Sequence, residues 1–525
     1  MKNIITLFWK NLTLNFKKYG ERFAALSPLH QYAVIFLSLL VIIFFFWEFV
    51  EKSGDAIHKW RMVRALVEHG SLMVPPDHHS LRWALLFPAV CAAKIFGTEV
   101  YVYYIFPMLN YCIAGTVFFA LCKKIFAPHY APFAVAVFAL HPTFINEGTQ
   151  FLPIGAAATW IFLALLLIIH ALEKKKHSTF VAFCAGICLI FAYGCKESSL
   201  FWMFGILFFL AFQPDAGQTL IKCGKIHFNS LMLILILCCI AGIVAETLII
   251  NSIYGVSHGR LELIRGTHLA GMSESGKSVS MLEYIFSPLR MLRMRGKYFV
   301  FLSKNFYLVT SVAGCIFVLA KNYSRNAKFL AASALGALFI HCYGIIKLNP
   351  ITYPENVYLR YFAHATVIGT LLYLLAIPQI WKTVCIKKYS KILFFFFNVS
   401  MLTIVSIYDL NQRCKDGTIW QVIQMKKVFC KAAANGDAIG FITPNRYCTP
   451  NEYGRCTPEK WAQLHLSLFW KMPQYFQFIK DGCHFSEYDS DNKIFWAVPP
   501  STGKKQILIK KYQVSKIIPA ETSKR

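Results

Sequence analysis

Charge is scarce in this chain, and negative charge is the scarcer kind. Asp, Glu, Lys and Arg make up 15% of the 525 residues, against 56% hydrophobic, and mean hydropathy is +0.48. Such a composition excludes a water-soluble protein of this length and implies a chain that crosses a membrane many times. Also missing are internal repeats and low-complexity segments, which argues against a transporter built from duplicated halves. No CxxC pair or His-rich spacing is present, so the 17 cysteines do not spell out a zinc or redox motif. The basic leader of some thirty residues lacks a small-residue cleavage site, so the first apolar run is expected to remain as an anchor.

What the chain has in quantity is apolar runs. About eleven of them have the length of a span, at 31–50, 100–121, 126–143, 152–172, 179–194, 198–212, 229–250, 305–320, 329–346, 362–381 and 392–408. Basic residues collect in alternate connections: Lys123-Lys124, Lys174 to Lys176, Lys222 and Lys225, Lys321 to Lys328, and Lys382 to Lys391. Placed on the cytoplasmic side with the basic N-terminus, they leave the C-terminal region outside. The segment 81–97 carries Arg82 and Lys94, each costing about 3 kcal/mol at the bilayer centre. It is expected to lie along the outer interface.

Much of the net charge of +28 follows from this bias, so it implies no nucleic-acid partner. The stretch 251–304 is the exception. It is expected outside, yet it holds Arg260, Arg265, Lys277, Arg290, Arg293, Arg295, Lys297 and Lys304, which suits an anionic partner such as membrane lipid.

Hydropathy changes near residue 408. Residues 1–408 are read as a transmembrane domain with a first external loop at 51–99, and 409–525 as an external α/β domain. Helical spacing appears at 417–434 and 458–470, and strand patterns at 438–443, 493–498 and 506–512. An oxidising exterior would favour a disulfide there, with Cys448 and Cys456 the first pairing to test. Fold class is thus an α-helical multi-pass membrane protein with a small α/β external C-terminal domain.

The chemistry-bearing residues follow the first apolar run. Asp55 opens a stretch in which Ala56, Ile57, Trp60, Val63 and Val67 recur at helical spacing, while Lys59, Arg61, Arg64 and Glu68 take the other faces until Gly70. A carboxylate on such an interfacial helix can act as base toward a lipid-borne substrate. Asp77, His78 and His79 are the candidate ligands for a divalent metal, although two adjacent histidines seldom share one ion.

In Gly54-Asp55, in Arg82 to Phe96-Gly97, in Gly186 through Lys196-Glu197 and in Leu359-Arg360-Tyr361, the chain resembles the GT-C superfamily of polyprenyl-phosphate-sugar-dependent glycosyltransferases. Its pattern is nearest to the protein O-mannosyltransferases and the lipid A aminoarabinose transferases. The resemblance implies Asp55 at the catalytic centre. It implies a donor site drawn from Arg82, Arg360, Tyr361, Arg290 and Arg293, with Glu147 standing in for a second acid that relatives carry just before the proline at 153. Many relatives also have an Asp-Glu pair where this chain reads Asp55-Ala56, and the WWDYG-type motif of oligosaccharyltransferases is missing. The expected reaction moves a sugar from a polyprenyl-phosphate donor to a lipid, glycan or protein acceptor at the outer face of the plasma (inner) membrane, with inversion. The rival readings are a lipid or envelope-precursor flippase and a noncatalytic assembly protein.

Overall fold

A computed structural model describes residues 18–45, 55–71, 79–98, 100–174, 178–213, 215–255, 259–260, 262–263, 298–343, 347–348, 351–352 and 363–383. Of the C-terminal region it describes residues 404, 431, 435, 437–442, 487–489, 494–498, 505–510 and 513–518. Among these residues the fold is mostly helical. The order is α1 (Pro28–Phe45), α2 (Asp55–His69), α3 (Trp83–Phe96), α4 (Val100–Ile125), α5 (Ala131–Ala134), α6 (Ala136–Ala139), α7 (Pro142–Thr149), α8 (Pro153–Glu173) and α9 (Ser178–Cys195). A 3-10 turn (Glu197–Leu200) leads to α10 (Phe201–Ala211), a hairpin of β1 (Thr219–Cys223) and β2 (Ile226–Asn229), then α11 (Ser230–Tyr254), α12 (Tyr298–Ala320), α13 (Arg325–Tyr343), a short antiparallel pair of β3 (Lys347–Leu348) and β4 (Ile351–Thr352), and α14 (Ala363–Thr383).

Local signals set several boundaries. Asn229 caps α11 by accepting from the Met232 amide at 3.0 Å, and Gly255 ends it in the left-handed region at φ +68. Pro142 and Pro153 each occupy a first helical turn, where a missing N–H costs nothing. Among the described residues, four helices are long and apolar enough to cross a membrane, within Ile105–Ile125, Pro153–Glu173, Ser178–Cys195 and Ser230–Ile253. Shorter apolar helices include Pro28–Phe44, Trp83–Phe96, Phe306–Ala320 and Ala363–Ile377.

The expected span 126–143 is not one helix. It breaks into α5 and α6 and then turns at His141 into α7. The 131–139 stretch would reach only about 14 Å even if straight, too short for the hydrocarbon core. The chain still travels the length of the bundle here, because α4 ends and α8 begins at opposite ends. Pro142 explains the turn at His141, since a residue before proline is driven out of helical geometry; His141 has φ −70 and ψ 119. Its ring then accepts from the Thr143 amide at 3.3 Å. The expected span 392–408 lies outside the described residues, save Ile404.

One end of the bundle gathers basic residues. Lys123, near the end of α4, donates to Gln31 at 3.0 Å and lies 5.3 Å above the Tyr32 ring at the start of α1. Lys124 pairs with Glu173 at the end of α8, whose other oxygen accepts from Asn326 at 2.9 Å, and Arg325 reaches the Leu172 carbonyl. These contacts bring together connections that are distant in sequence but alike in charge. Close helix crossings rest on glycine. A Cβ at Gly205 of α10 would fall 2.6 Å from backbone oxygens of α13, and one at Gly314 of α12 would fall 2.4 Å from the Gly369 carbonyl of α14.

In the C-terminal region five strands form a mixed sheet in the order β6-β7-β5-β8-β9, from β5 (Ala438–Ile442), β6 (Glu487–Asp489), β7 (Ile494–Val498), β8 (Gln506–Lys510) and β9 (Gln513–Ile518). Among the described strands, only β5 and β8 pair in parallel. Three of the strands sit where the sequence pattern places them. The expected helices at 417–434 and 458–470, apart from residue 431, and the Cys448–Cys456 pairing lie outside the described residues.

Candidate active site

The opposite end of the bundle carries the candidate residues. Asp55 is the first residue of α2, as the sequence predicts. Ala56, Trp60 and Val63 are buried along one stripe, and the Trp60 ring meets Phe151 edge-on at 5.8 Å, so α2 is seated against the loop that precedes α8. Gly70 closes the helix at φ +70. Lys59 corrects the sequence reading: it is fully buried rather than turned to the polar side. Its place three residues after Ala56 and four before Val63 puts it on the buried stripe, and periodicity overrides polarity there. α3 packs against α2, with Thr98 donating to Glu68 at 3.3 Å.

Arg82 immediately precedes α3 and is 4% exposed, so its guanidinium does not reach out to headgroups. Its carbonyl accepts from the Leu85 and Leu86 amides, both at 2.9 Å, which fixes the backbone. Its Nε is buried and has no hydrogen-bond partner among the described residues. Nearby, in the turn between α9 and α10, Lys196 forms an ion pair with Glu197. Burial pushes the Glu197 carboxyl up, but the charges of Lys196, Arg82 and Arg260 outweigh it and hold the group below the usual carboxylate range.

Arg260 is a second correction. Expected in an external basic stretch, it is 2% exposed and its side chain is fully engaged. It pairs with Glu246 of α11 through Nη2 at 2.5 Å and Nε at 3.2 Å, and stands 4.0 Å from Glu197. It also donates to the carbonyls of Tyr193 at 2.9 Å and Leu81 at 2.6 Å. Glu246 accepts in turn from the Trp83 indole at 2.7 Å. Neither Glu246 nor this pairing is anticipated from the sequence, although a signal exists: Glu246 is the lone carboxylate in the apolar run 230–253, and an acid in a span calls for a partner. Arg82, Lys196 and Arg260 face Glu197 and Glu246, leaving one positive charge in excess among these five groups.

Glu147 is buried at the same end. Its Oε2 accepts from the amides of Ile154 and Gly155 at 3.0 and 3.1 Å, so the carboxylate caps the start of α8. Arg360, Tyr361, Arg290, Arg293, Asp77 and His78 lie outside the described residues, and of the metal candidates only His79 is described. Among the described residues, no three His, Cys, Asp or Glu side chains are grouped so as to hold a metal ion.

In a family comparison, residues 85–243 match the family described as dolichyl-phosphate-mannose-protein mannosyltransferase. This stretch resembles a GT-C glycosyltransferase. The GT-C match runs from the first turn of α3 to the middle of α11, under a third of the chain, beginning three residues after Arg82 and ending three before Glu246. No curated protein matches the chain. Among solved structures, the archaeal oligosaccharyltransferase AglB from Archaeoglobus fulgidus, in complex with an inhibitory peptide and a dolichol-phosphate, has a TM-score of 0.44 at 14% identity. That match covers 82% of this chain and 60% of that one. The Archaeoglobus fulgidus oligosaccharyltransferase tethered to an acceptor peptide gives 0.44 at 13% identity, covering 76% and 57%. The same enzyme's complex with Zn and sulfate gives 0.43 at 14%, covering 81% and 57%. The chain therefore spans about three fifths of the length of these oligosaccharyltransferases, and residue roles rest on its own geometry.

Proposed function

We propose that this chain is a membrane glycosyltransferase that moves one sugar from a polyprenyl-phosphate donor to an acceptor, at the end of the bundle away from the basic connections. The family match over 85–243 carries this reading, and the Arg82 cluster adjoining it supplies the chemistry. A sugar on a lipid phosphate already has a leaving group. The protein must hold that phosphate and accept a proton from the acceptor hydroxyl.

In the proposed step the acceptor oxygen attacks the anomeric carbon from the face opposite the phosphate, and its proton passes to the Asp55 carboxylate. The bond between the anomeric carbon and the phosphate oxygen breaks, its electron pair leaves with the polyprenyl phosphate, and the configuration inverts. Arg82 holds the phosphate, its buried Nε being available for a charge-assisted hydrogen bond. Arg360, Tyr361, Arg290 and Arg293 remain proposed members of the donor site, and Glu147 serves it by fixing the start of α8. The sheet-bearing region 409–525 is proposed to lie on the same, outer side, in a plasma (inner) membrane.

Arg82→Ala is expected to weaken binding of a polyprenyl-phosphate sugar about 10- to 100-fold, which corresponds to losing one hydrogen bond between charged groups at about 1.4 kcal/mol per tenfold. Titration of the donor into purified protein, with the elution volume in detergent as the check on folding, measures this. An unchanged dissociation constant in a folded variant would remove Arg82 from the donor site.

A further inference from the structure

We infer that Glu246 and Arg260 are a positioning pair that presents Arg82 to the donor phosphate, an inference that rests on the transferase reading above. The two side chains grip the residues on either side of Arg82. Arg260 Nη2 donates to the carbonyl of Leu81 at 2.6 Å, and the indole of Trp83 donates to Glu246 Oε1 at 2.7 Å. Arg82 lies between these two fixed points.

The division of labour between the two arginines is visible in their partners. Nε, Nη1 and Nη2 of Arg260 all find acceptors, in Glu246, Tyr193 and Leu81, and its guanidinium lies 4.5 Å above the Tyr193 ring. It has little left to offer a ligand. Arg82 Nε has no hydrogen-bond partner among the described residues, and Glu197 lies within reach of its charge. A buried pair such as Glu246 with Arg260 is weak grounds for stability, because desolvation offsets the attraction. Geometric control is what a planar, bidentate guanidinium supplies.

The backbone before Arg260 is shaped for this contact. Gly259 sits in the left-handed region at φ +56, and a Cβ there would come 3.1 Å from Thr247 of α11. Glycine thus lets the chain turn close against α11, one residue before the arginine and beside Thr247, the residue that follows Glu246. Four elements meet at the pair: the approach to α3, the end of α9, α11 and the 259–260 segment.

The test uses the full chain purified in detergent, with kcat and KM measured against a polyprenyl-phosphate sugar. Arg260→Lys keeps the charge but cannot reach Leu81, Tyr193 and Glu246 together, and Trp83→Phe removes only the indole donor. Each is expected to raise the donor KM about 10-fold while kcat stays within about 2-fold, the size of one lost charge-assisted contact. Each should add nothing further when combined with Arg82→Ala, since all act through one contact. Melting temperature is followed in parallel. If Arg82→Ala raises KM while Arg260→Lys and Trp83→Phe lower only the melting temperature, the positioning role is overturned and the transferase reading stands. If Arg82→Ala itself leaves KM unchanged, the donor-site reading fails and the positioning role with it.

Discussion

Asp55→Asn is expected to transfer sugar about 100-fold more slowly or worse, within the range for loss of a general base. Asparagine keeps the size of the side chain and can still accept a hydrogen bond at a helix start, so α2 should form as before. What it loses is basicity. The acceptor hydroxyl then attacks without a group to take its proton, and kcat falls. Donor KM should change little, because the phosphate is assigned to Arg82 and the other basic residues. The comparison with Asp55→Ala separates this from a capping role: a cap predicts that Ala costs about 1 kcal/mol of stability while Asn is nearly neutral in every assay. Near-original transfer by Asp55→Asn would leave Asp55 as a helix-start residue.

Topology gives the second large effect, because a reporter of membrane side responds in an all-or-none way. Lys123 and Lys124 meet the start of α1, the end of α8 and the start of α13 at one end of the bundle. Arg82, Glu197, Glu246 and Arg260 gather near the start of α3 and the end of α9. α8 and α9 run between the two ends. Cytoplasmic connections collect Lys and Arg, so a reporter fused after Lys176 should be cytoplasmic and one fused after Arg525 external. An external signal after Lys176 would turn the bundle over and move the candidate site to the cytoplasmic face.

Much of the fold is legible because length and apolarity are local properties. The runs at 152–172 and 229–250 become α8 and α11 within a few residues, and the strand patterns at 438–443 and 493–498 become β5 and β7. The run at 126–143 misleads because hydropathy counts apolar residues without registering that Pro142 forces His141 out of the helix. Lys59 misleads in the opposite sense, since its charge suggests solvent while its spacing places it on the stripe with Ala56 and Val63.

The candidate site divides along the same line. Asp55, Arg82 and the Lys196–Glu197 pair are marked by their position beside apolar runs, which sequence displays directly. The Glu246–Arg260 pair is formed by a return of the chain after α11, and the bonds to Leu81 and Trp83 join residues more than 160 apart. Only the lone carboxylate in an apolar run hints at it. At Glu147 the resemblance points to an acid before Pro153, and the structure adds what sequence does not display, that one of its oxygens caps the start of α8.

The most direct measurement is sugar transfer by the unaltered, purified chain reconstituted in vesicles with a radiolabelled polyprenyl-monophosphate sugar. The proposal predicts that label leaves the lipid, appears on an acceptor with inverted anomeric configuration, and that free polyprenyl phosphate accumulates in equal amount. If the label stayed on its lipid with every donor sugar and acceptor class offered, while the lipid itself moved between leaflets, the chain would be a transporter and the transferase account would be contradicted.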